Sequence, residues 1–342
     1  MSQNSYNAKI FVGKRELSSW KSITFKDAGN NKVTKLTVST TDPELDNMAI
    51  HGKELIFYLN YGALDTVPFF RGRIKESTPT NKSFNFTAYD MRTFLTGKDS
   101  LPINITDSDN YDGYTLGQFL YEYIDTVVNY EETLIGLDMI NDSNPTVSLS
   151  GFRADNTSPL KVIQQNIKPN RNSATDIKNT RLIMRDDGQK SNICFVEEQS
   201  KNDSGIEFGY NDGIASISFK RRPTPNIFNI KSEKSNIVYK HNNLPTGVIS
   251  HNISDTFEFP DEGVQEAFHL AEQMKDAFEL SITVNKGHYL DIGNIIVLDT
   301  PDFEYLSGKH RIVSKSLNVS DTKVSCTFGL SKEGPTLSNY SL

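Results

Sequence analysis

The sequence predicts a mainly-β protein with α+β insertions: two small antiparallel β-barrels related by pseudo-duplication, plus a helix-containing middle domain. Three observations predict this class. Apolar residues alternate with period two over the first hundred residues, helical spacing follows in the middle of the chain, and strand alternation returns from Ile206. We therefore predict a first barrel over residues 1–97, an α+β domain over 98–205 and a second barrel over 206–342.

The first barrel is predicted from short segments in which apolar and polar residues alternate, as they do in half-buried strands. Turn residues such as Gly29-Asn30-Asn31 separate the segments. Five or six short strands joined by turns are typical of a small antiparallel barrel or sandwich. The alternating segments are residues 20–25, 34–38, 55–59, 70–75 and 84–88.

The middle domain is predicted from two helices and a hairpin. Thr115 and Gln118 fit a capping box, and apolar residues follow at helical spacing over 116–127. A second helix begins after Ser158 with proline in its first position, and it ends before Pro169. A hairpin follows over 181–196, with its turn at Asp187-Gly188.

The second barrel is predicted from strand alternation that is interrupted by one long helix. Residues 214–220 alternate, and a helix over about 261–280 carries Val264, Phe268, Ala271, Met274 and Phe278 along one side. Further strands are predicted at residues 282–284, 295–298, 309–314 and 324–330.

A weak internal repeat relates the two ends of the chain. Gly52 precedes a buried strand near the start, and Gly293 precedes another near the end. Each strand is followed by a loop with a proline, Pro68 or Pro301, then by a second glycine and another strand. The pattern alone fits a true duplication and also the ordinary appearance of small barrels.

Composition excludes several classes of protein. The formal net charge of −7 argues against a protein that grips nucleic acid, because tight binding needs clustered cations. That charge suits a surface that DNA slides past, or simply a soluble acidic protein. Cys194 and Cys326 form no CxxC pair, which predicts reduced thiols without a disulfide framework. The polar start of the chain and the lack of a long apolar run predict neither a signal peptide nor a membrane span.

No catalytic constellation is found. The six histidines stand apart from one another, and HExxH, GxSxG and Walker motifs are missing. The pairs Asp186-Asp187 and Glu197-Glu198 are interpreted as turn or solvent-facing charges. We therefore predict that the protein is not an enzyme and has no catalytic, cofactor-binding or metal-binding residues.

Two segments leave alternatives open. Residues 107–113 resemble the start of a calcium loop, but the third acid falls one position late and no glutamate closes the loop. An Asx-rich turn before the Thr115 helix is the better interpretation. Arg221-Arg222-Pro223 is a tight basic pair that suits phosphate, an acidic partner or, more simply, a solvated loop.

The order of these features resembles the baseplate hub proteins of contractile phage tails, including the PBSX-type, Mu-like and T-even hubs. The likeness covers about residues 10–332, although residues 129–212 match poorly. The run from Phe86 to Arg92 resembles the "aromatic, x, Asp, x, Arg" ending of the family's first barrel. The other segments that carry the resemblance are Trp20, 52–59, Phe70-Arg71-Gly72-Arg73-Ile74, 116–127, 293–298, 308–312 and 324–330.

The resemblance implies a homotrimer in which two similar barrels per subunit form a pseudo-sixfold ring. Such a ring joins the sixfold tail tube, on which the first barrel docks, to the trimeric central spike and passes DNA through its lumen. The implied partners are the tube, the spike and other baseplate proteins, with no cofactor. The implied location is the tail baseplate of a virion assembled in the host cytoplasm. Another tail-tip protein, such as a distal tail adaptor or a receptor-binding protein, is an alternative, and a cell-wall hydrolase is a weaker one.

Overall fold

The structure is a computed structural model. It describes residues 7–29, 32–42, 44–45, 50–60, 67–79, 83–96, 103–105, 118–119, 135–137, 154–166, 170–173, 176–186, 188–189, 191–198, 203–209, 213–221, 226–232, 236–240, 250–257, 264, 267, 278–285, 287–320 and 323–332.

The chain divides into two compact units. The first comprises Met1–Asp203, Asn285–Gly293 and Ser314–Cys326, and the second comprises Ser204–Val284, Asn294–Val313 and Thr327–Leu342. Two short C-terminal segments therefore group with the N-terminal part of the chain. The division into three domains at residues 97 and 205 remains a prediction.

The first strand set forms because its sequence alternates, and every second residue is buried. Ile23, Leu36, Phe57, Ile74 and Phe86 are at most 1% exposed, while their chain neighbours face outwards. All five strand segments predicted from the sequence are strands, so this part of the prediction is confirmed. The set consists of β1 (Asn7–Val12), β2 (Arg15–Glu16), β3 (Ser22–Asp27), β4 (Lys35–Thr40), β5 (Glu54–Asn60), β6 (Phe70–Pro79) and β7 (Phe84–Asp90).

The described part of the middle of the chain holds helix α1 (Pro159–Asn166) and two small sheets. Helix α1 has proline at its first position and buries Leu160, Val162 and Ile163. Gln118 and Phe119 are helical, and the rest of the predicted 116–127 helix lies outside the described residues. The strands are β8 (Ile103–Ile105), β9 (Ile135–Leu137), β10 (Ala154–Thr157), β11 (Asn170–Ser173), β12 (Asp176–Asp186) and β13 (Ser191–Glu198).

Strands β12 and β13 form the predicted hairpin, paired from Asn179–Glu198 to Asp186–Ser191. Gly188, whose φ is 92°, lies in its turn, which explains the glycine there. The hairpin belongs to a four-stranded sheet of order β11-β12-β13-β9, and β8 pairs with β10.

The second strand set resumes after the hairpin. The strands are β14 (Asp203–Gly209), β15 (Ile214–Arg221), β16 (Ile227–Ser232), β17 (Asn236–Lys240), β18 (Ser250–Phe257), β19 (Phe278–Val284), β20 (Ile295–Asp299), β21 (Gly308–Ser320) and β22 (Val324–Lys332). Strands β17, β16 and β18 form a separate three-stranded sheet, in which Phe228 and Ile230 pack with Ile253 and Ala267.

The predicted end of the long helix is wrong. Residues 278–280 belong to strand β19, where Leu280 pairs with Phe219 of β15. The reason is that Leu280, Ile282 and Val284 alternate as buried residues, and pairing with β15 outweighs the helical spacing. Val264 and Ala267 are helical, and the rest of the predicted 261–280 helix lies outside the described residues.

The two strand sets have the same internal order. In chain order the first set is β1, β3, β4, β5, β6, β7, and hydrogen bonds arrange it as β1-β5-β6-β7-β4-β3. The second set is β14, β15, β19, β20, β21, β22, and its arrangement is β14-β20-β21-β22-β19-β15. Numbered by position in the chain, both sets read 1-4-5-6-3-2.

The glycine repeat seen in the sequence occupies matching positions in this shared order. Gly52 and Gly293 have positive φ values of 78° and 96° before β5 and β20. Ile74 donates its backbone N–H to the carbonyl of Lys53, and Ile312 donates to the carbonyl of Asn294, at 3.0 and 2.9 Å. The same bond thus joins the same two strands in each set.

The strand order does not close into a ring in either set within the described part of the chain. The protein is mainly β and contains several sheets, as predicted from the sequence, while closure into barrels remains a prediction. Among the described residues, no helix combines the length and the apolar character that crossing a bilayer requires.

Candidate functional site

A buried ion pair lies at the end of the first strand set. Asp90 ends β7 and caps the 3-10 turn Met91–Leu95 by accepting from the backbone N–H of Arg92 at 3.0 Å. The Arg92 guanidinium donates to Asp90 Oδ2 from Nε at 2.9 Å and from Nη2 at 2.6 Å. Arg92 also donates to the Leu182 carbonyl at 3.2 Å and to the Thr34 hydroxyl.

This buried ion pair stabilises the contact between the first strand set and the β12–β13 hairpin. The side chains of Arg92 and Asp90 are only 5% and 4% exposed, so neither charge is solvated. Burial alone would lower the pKa of Arg92, but the charge of Asp90 and its hydrogen bonds raise that pKa above its ordinary value. The contact with Leu182, on β12, ties the first strand set to the hairpin. The motif noticed in the sequence therefore has a physical role.

A second arginine joins the same two elements. Arg71 on β6 donates to both carboxylate oxygens of Asp186, to Glu54 and, at 3.1 Å, to the carbonyl of Gly188. Burial opposes the charge of Arg71, while hydrogen bonds to Asp186 and Glu54 raise its pKa. The side chains of Arg71 and Asp186 are 4% and 8% exposed.

Of the two alternatives for Asp186, a turn charge or a solvent-facing charge, the turn is confirmed and the solvent-facing one is wrong, since the side chain is 8% exposed. It does hold the turn, since it accepts from the backbone N–H of Gly188 at 2.8 Å and from the Ser191 hydroxyl. However, the side chain of Asp186 is also buried, where it forms an ion pair with Arg71. The two residues are 115 positions apart, and no local pattern connects them. Asp187 and the side chains of Glu197 and Glu198 lie outside the described residues.

A buried lysine lies in a C-terminal segment that groups with the first unit. Lys315 donates from Nζ to the carbonyl of His288 at 2.6 Å and to Asp291 Oδ1 at 3.2 Å. Its Nζ also lies 4.9 Å from the centre of the Phe69 ring, a cation–π contact. Burial and the nearby charge of Lys315 lower the pKa of His288 to about 4.

Burial raises the pKa of Cys326 to about 12, so this free thiol is unsuited to act as a nucleophile.

The remaining residues singled out in the sequence form no reactive cluster in the part of the chain that the structure describes. No group of three or more His, Cys, Asp or Glu side chains converges there. His51 is within 2.9 Å of the Ser77 hydroxyl, beside an open cavity of about 290 Å³. Arg221 ends β15. Residues 107–113, His241, His269, Arg222-Pro223 and the side chain of Cys194 lie outside the described residues.

A row of hydroxyl groups crosses the outward face of the first strand set. Thr24, Thr37 and Thr87 are direct partners on β3, β4 and β7, and Asn318 of β21 pairs with Thr24. Thr37 and Thr87 share a hydrogen bond between their hydroxyls at 2.9 Å, and the Thr24 hydroxyl donates to Asn318 at 3.1 Å. The next row consists of Ser320, Ser22, Ser39 and Asn85.

The second strand set carries the same row at matching strands. Ser216 of β15 pairs with Thr283 of β19, and the Thr283 hydroxyl is 3.0 Å from the Thr327 hydroxyl of β22. Because β4 and β7 correspond to β19 and β22 in the shared order, this bond is the counterpart of the Thr37–Thr87 bond.

No family model matches the chain, and no curated protein matches it. Solved structures do. A tail protein from Neisseria meningitidis matches with a TM-score of 0.65 at 13% identity, covering 96% of this chain and 97% of that one. The 43 kDa tail protein of prophage MuSo2 from Shewanella oneidensis matches with a TM-score of 0.64 at 10% identity and the same coverage.

A third structure is a component of the Escherichia coli type VI secretion system that exhibits structural similarity to T4 bacteriophage tail proteins. Its TM-score is 0.50 at 10% identity, covering 96% of this chain and 77% of that one. These identities are low, but the likeness extends over nearly the whole chain. The chain therefore shares the fold of phage tail proteins.

Proposed function

We propose that this protein is the structural hub of a phage-type tail baseplate. In this proposal three copies form a pseudo-sixfold ring, which joins the sixfold tail tube to the trimeric central spike and lines the passage for DNA. The observation that carries it is the strand order 1-4-5-6-3-2, present twice in one chain. Two equivalent modules per subunit are what a trimer needs to match a sixfold partner.

The solved structures support a role at the tail tip. Two tail proteins share the fold over 96% of this chain. A secretion-system component that resembles T4 tail proteins shares it too. These likenesses support a structural role at the tail tip, of which the hub is one form.

The buried charges favour a structural role over an enzymatic one. Arg71 and Arg92 donate hydrogen bonds that hold the hairpin against the first strand set. The buried thiol of Cys326 has a raised pKa, and the histidine next to Lys315 is held neutral near pH 7. These groups stabilise a scaffold, as a structural ring requires.

Native mass spectrometry of the purified chain tests the proposal, first alone and then with candidate tail tube and spike proteins from its genomic neighbourhood. The proposal predicts trimers that bind one tube ring on one face and one spike trimer on the other. A chain that stays monomeric under these conditions, or that instead binds cell-wall glycan or cleaves it in a zymogram, would contradict the hub assignment.

A further inference from the structure

We propose that one chain docks onto the next through an acidic turn that enters a basic cavity. This inference rests on the proposed function and names the surfaces that join its subunits. The acidic turn is Asp302-Phe303-Glu304, between strands β20 and β21 of the second set. The basic cavity lies in the first set and is lined by His51, Gly52, Arg73, Ile74, Lys75 and Phe94.

The basic cavity combines positive charge with an aromatic wall. It is open, has a volume of about 290 Å³, and its described lining includes two cations but no carboxylate. Cζ of Arg73 lies 4.9 Å from the centre of the Phe94 ring, a cation–π contact. The carboxylate of Glu54, the cross-strand partner of Arg73, accepts a hydrogen bond from Arg71. The cavity therefore suits a ligand that carries both a negative charge and an aromatic ring.

The positive charge extends beyond the cavity along one row of the sheet. Lys26, Lys35, Tyr89 and Arg73 are successive cross-strand partners on β3, β4, β7 and β6. Both lysines are exposed. An opposing charge lies at the margin, where Glu76 accepts from the Tyr89 hydroxyl at 2.7 Å. In a chain whose formal net charge is −7, this row is a local excess of cations that attracts an acidic partner.

The acidic turn has the complementary chemistry. Phe303 is 41% exposed, and its neighbours Asp302 and Glu304 are exposed carboxylates. Asp299 adds a third exposed acid just before the turn, and Lys309 is an exposed cation on the strand that follows it. Aromatic side chains that fill a pocket are the usual energetic centre of a protein interface. The turn thus presents an aromatic anchor between two charges of the sign that the basic cavity attracts.

Hydrogen bonds fix the shape of the acidic turn. The Phe303 backbone N–H donates to the Thr300 carbonyl at 2.8 Å, and the Thr300 hydroxyl donates to the Phe303 carbonyl at 3.1 Å. Thr300 is fully buried, and the Ser307 backbone N–H donates to the Glu304 carbonyl at 3.1 Å. A turn that is already ordered loses little conformational entropy when it docks.

A second copy of the chain is the occupant that accounts for both surfaces. A phosphate would engage the cations of the cavity, but it would use neither Phe94 nor the exposed Phe303. The cavity and the turn are unlike surfaces, and a contact between unlike surfaces of identical chains closes into a ring when the rotation per chain allows it. Ile74 and Ile312 correspond through their shared backbone bond, so Lys75 of the cavity corresponds to an uncharged residue, Val313.

Charge exchange tests the inference. The double variant Arg73→Glu with Glu304→Arg reverses both surfaces, so identical variant chains still attract one another. When a variant chain meets a wild-type chain, like charges face each other at either contact. The variant is co-expressed with a full-length wild-type chain made heavier by a tag, and native mass spectrometry at physiological salt counts the two kinds of chain in each trimer.

The matched control is Lys32→Glu with Glu207→Arg. It reverses one exposed cation of the first set and one exposed acid of the second, outside the basic cavity and the acidic turn. We expect the control to mix with wild-type chains at random. The charge-exchanged variant should form trimers with itself, while mixed trimers fall at least tenfold below the random share. Random mixing of this variant would overturn the inference, as would a folded variant that forms no trimers of its own.

Two further variants keep the test decisive if Arg73→Glu prevents folding. Lys75→Glu with Asp302→Arg makes the same exchange within the same two surfaces. Phe303→Ala removes the aromatic anchor without changing charge, and it should weaken trimer formation at least tenfold in a dilution series. An unchanged dilution series for Phe303→Ala would contradict the docking of the turn. A wild-type chain that never forms trimers defeats the proposed function itself, whereas trimers that mix at random defeat only this inference.

Discussion

Arg92 carries a charge in a place where water does not reach it. Its guanidinium makes bonds to Asp90, Thr34 and the Leu182 carbonyl, and its side chain is 5% exposed. Replacing both partners of such a pair by apolar residues changes the stability of the protein little. Removing only one partner lowers the stability strongly, because it leaves a buried charge without compensation. Arg92 is therefore required because Asp90 is present.

We expect Arg92→Met to lower the free energy of unfolding by about 3–5 kcal/mol, measured by urea denaturation. The control is Lys26→Met, at an exposed cation on β3, which we expect to change stability by no more than about 0.5 kcal/mol. Equal effects of the two substitutions would contradict a stabilising role for the buried Arg92–Asp90 ion pair.

Gly72 illustrates a different constraint, which concerns space. A Cβ at this position would lie 2.3 Å from the carbonyl oxygen of Tyr89 and 2.7 Å from the ring of Phe70. We expect Gly72→Ala to destabilise the protein by about 1–3 kcal/mol in thermal or urea unfolding. At Gly209 the nearest atom, the Asp299 carbonyl oxygen, is 3.7 Å away, so Gly209→Ala is the control and should cost much less. A neutral Gly72→Ala would contradict the close approach of β6 and β7.

His288 gives a prediction about pH. Burial and the charge of Lys315 lower its pKa to about 4, below the value of about 6.5 in an unfolded chain. Between these two pH values His288 is protonated in the unfolded state but not in the folded state. The free energy of unfolding therefore falls as pH decreases through this window. From pH 6.5 to pH 5 the loss is about 2 kcal/mol.

The measurement is the unfolding free energy of the wild type and of His288→Gln at both pH values. The variant keeps the His288 backbone carbonyl that accepts from Lys315, and it should lack this part of the pH dependence. Parallel pH profiles for the two proteins would contradict a neutral, buried His288.

At the scale of elements, the β12–β13 hairpin is held on the first strand set by Arg71 and Arg92. We expect Arg71→Met to expose the hairpin to local opening, because Asp186 loses the partner of its buried charge. Hydrogen exchange of the amides in β12 and β13 should speed up by the equivalent of about 3 kcal/mol, with a smaller change in β3 and β4. Lys26→Met, at an exposed position of β3, is the control. A uniform change across the whole chain would contradict a local role.

The elements also show what a sequence can and cannot predict. Alternation of buried residues such as Ile23 and Phe25 was enough for the strands, and Pro159 and Gly188 marked a helix start and a turn. The pairing of β3 with the end of β21 was not predictable, because Thr24 and Asn318 are 294 residues apart. For the same reason the ion pair of Asp186 with Arg71 was missed.

The ambiguous stretch before Val284 has another cause. Its apolar residues satisfy helical spacing and strand alternation at once, and only the partner strand decides between them. Leu280 pairs with Phe219 of β15, so the strand prevails there. Local periodicity thus predicts the type of secondary structure well where only one period fits the apolar residues. Where two periods fit, pairing with a distant strand determines the type.

At the scale of the whole molecule, the account depends on two modules with one strand order. The sequence suggested the repeat through Gly52 and Gly293, and the structure adds the matching backbone bonds of Ile74 and Ile312 and the matching threonine pairs. The proposed hub function and the proposed trimer both rest on treating these modules as equivalent positions in a ring.

Electron cryo-microscopy of the purified full-length chain tests this equivalence most directly. The account predicts particles of three chains with six similar β modules around a single central channel, and with Thr37 and Thr283 at equivalent positions. Persistent monomers, or an assembly in which the two modules of each chain do not surround one common channel, would contradict it.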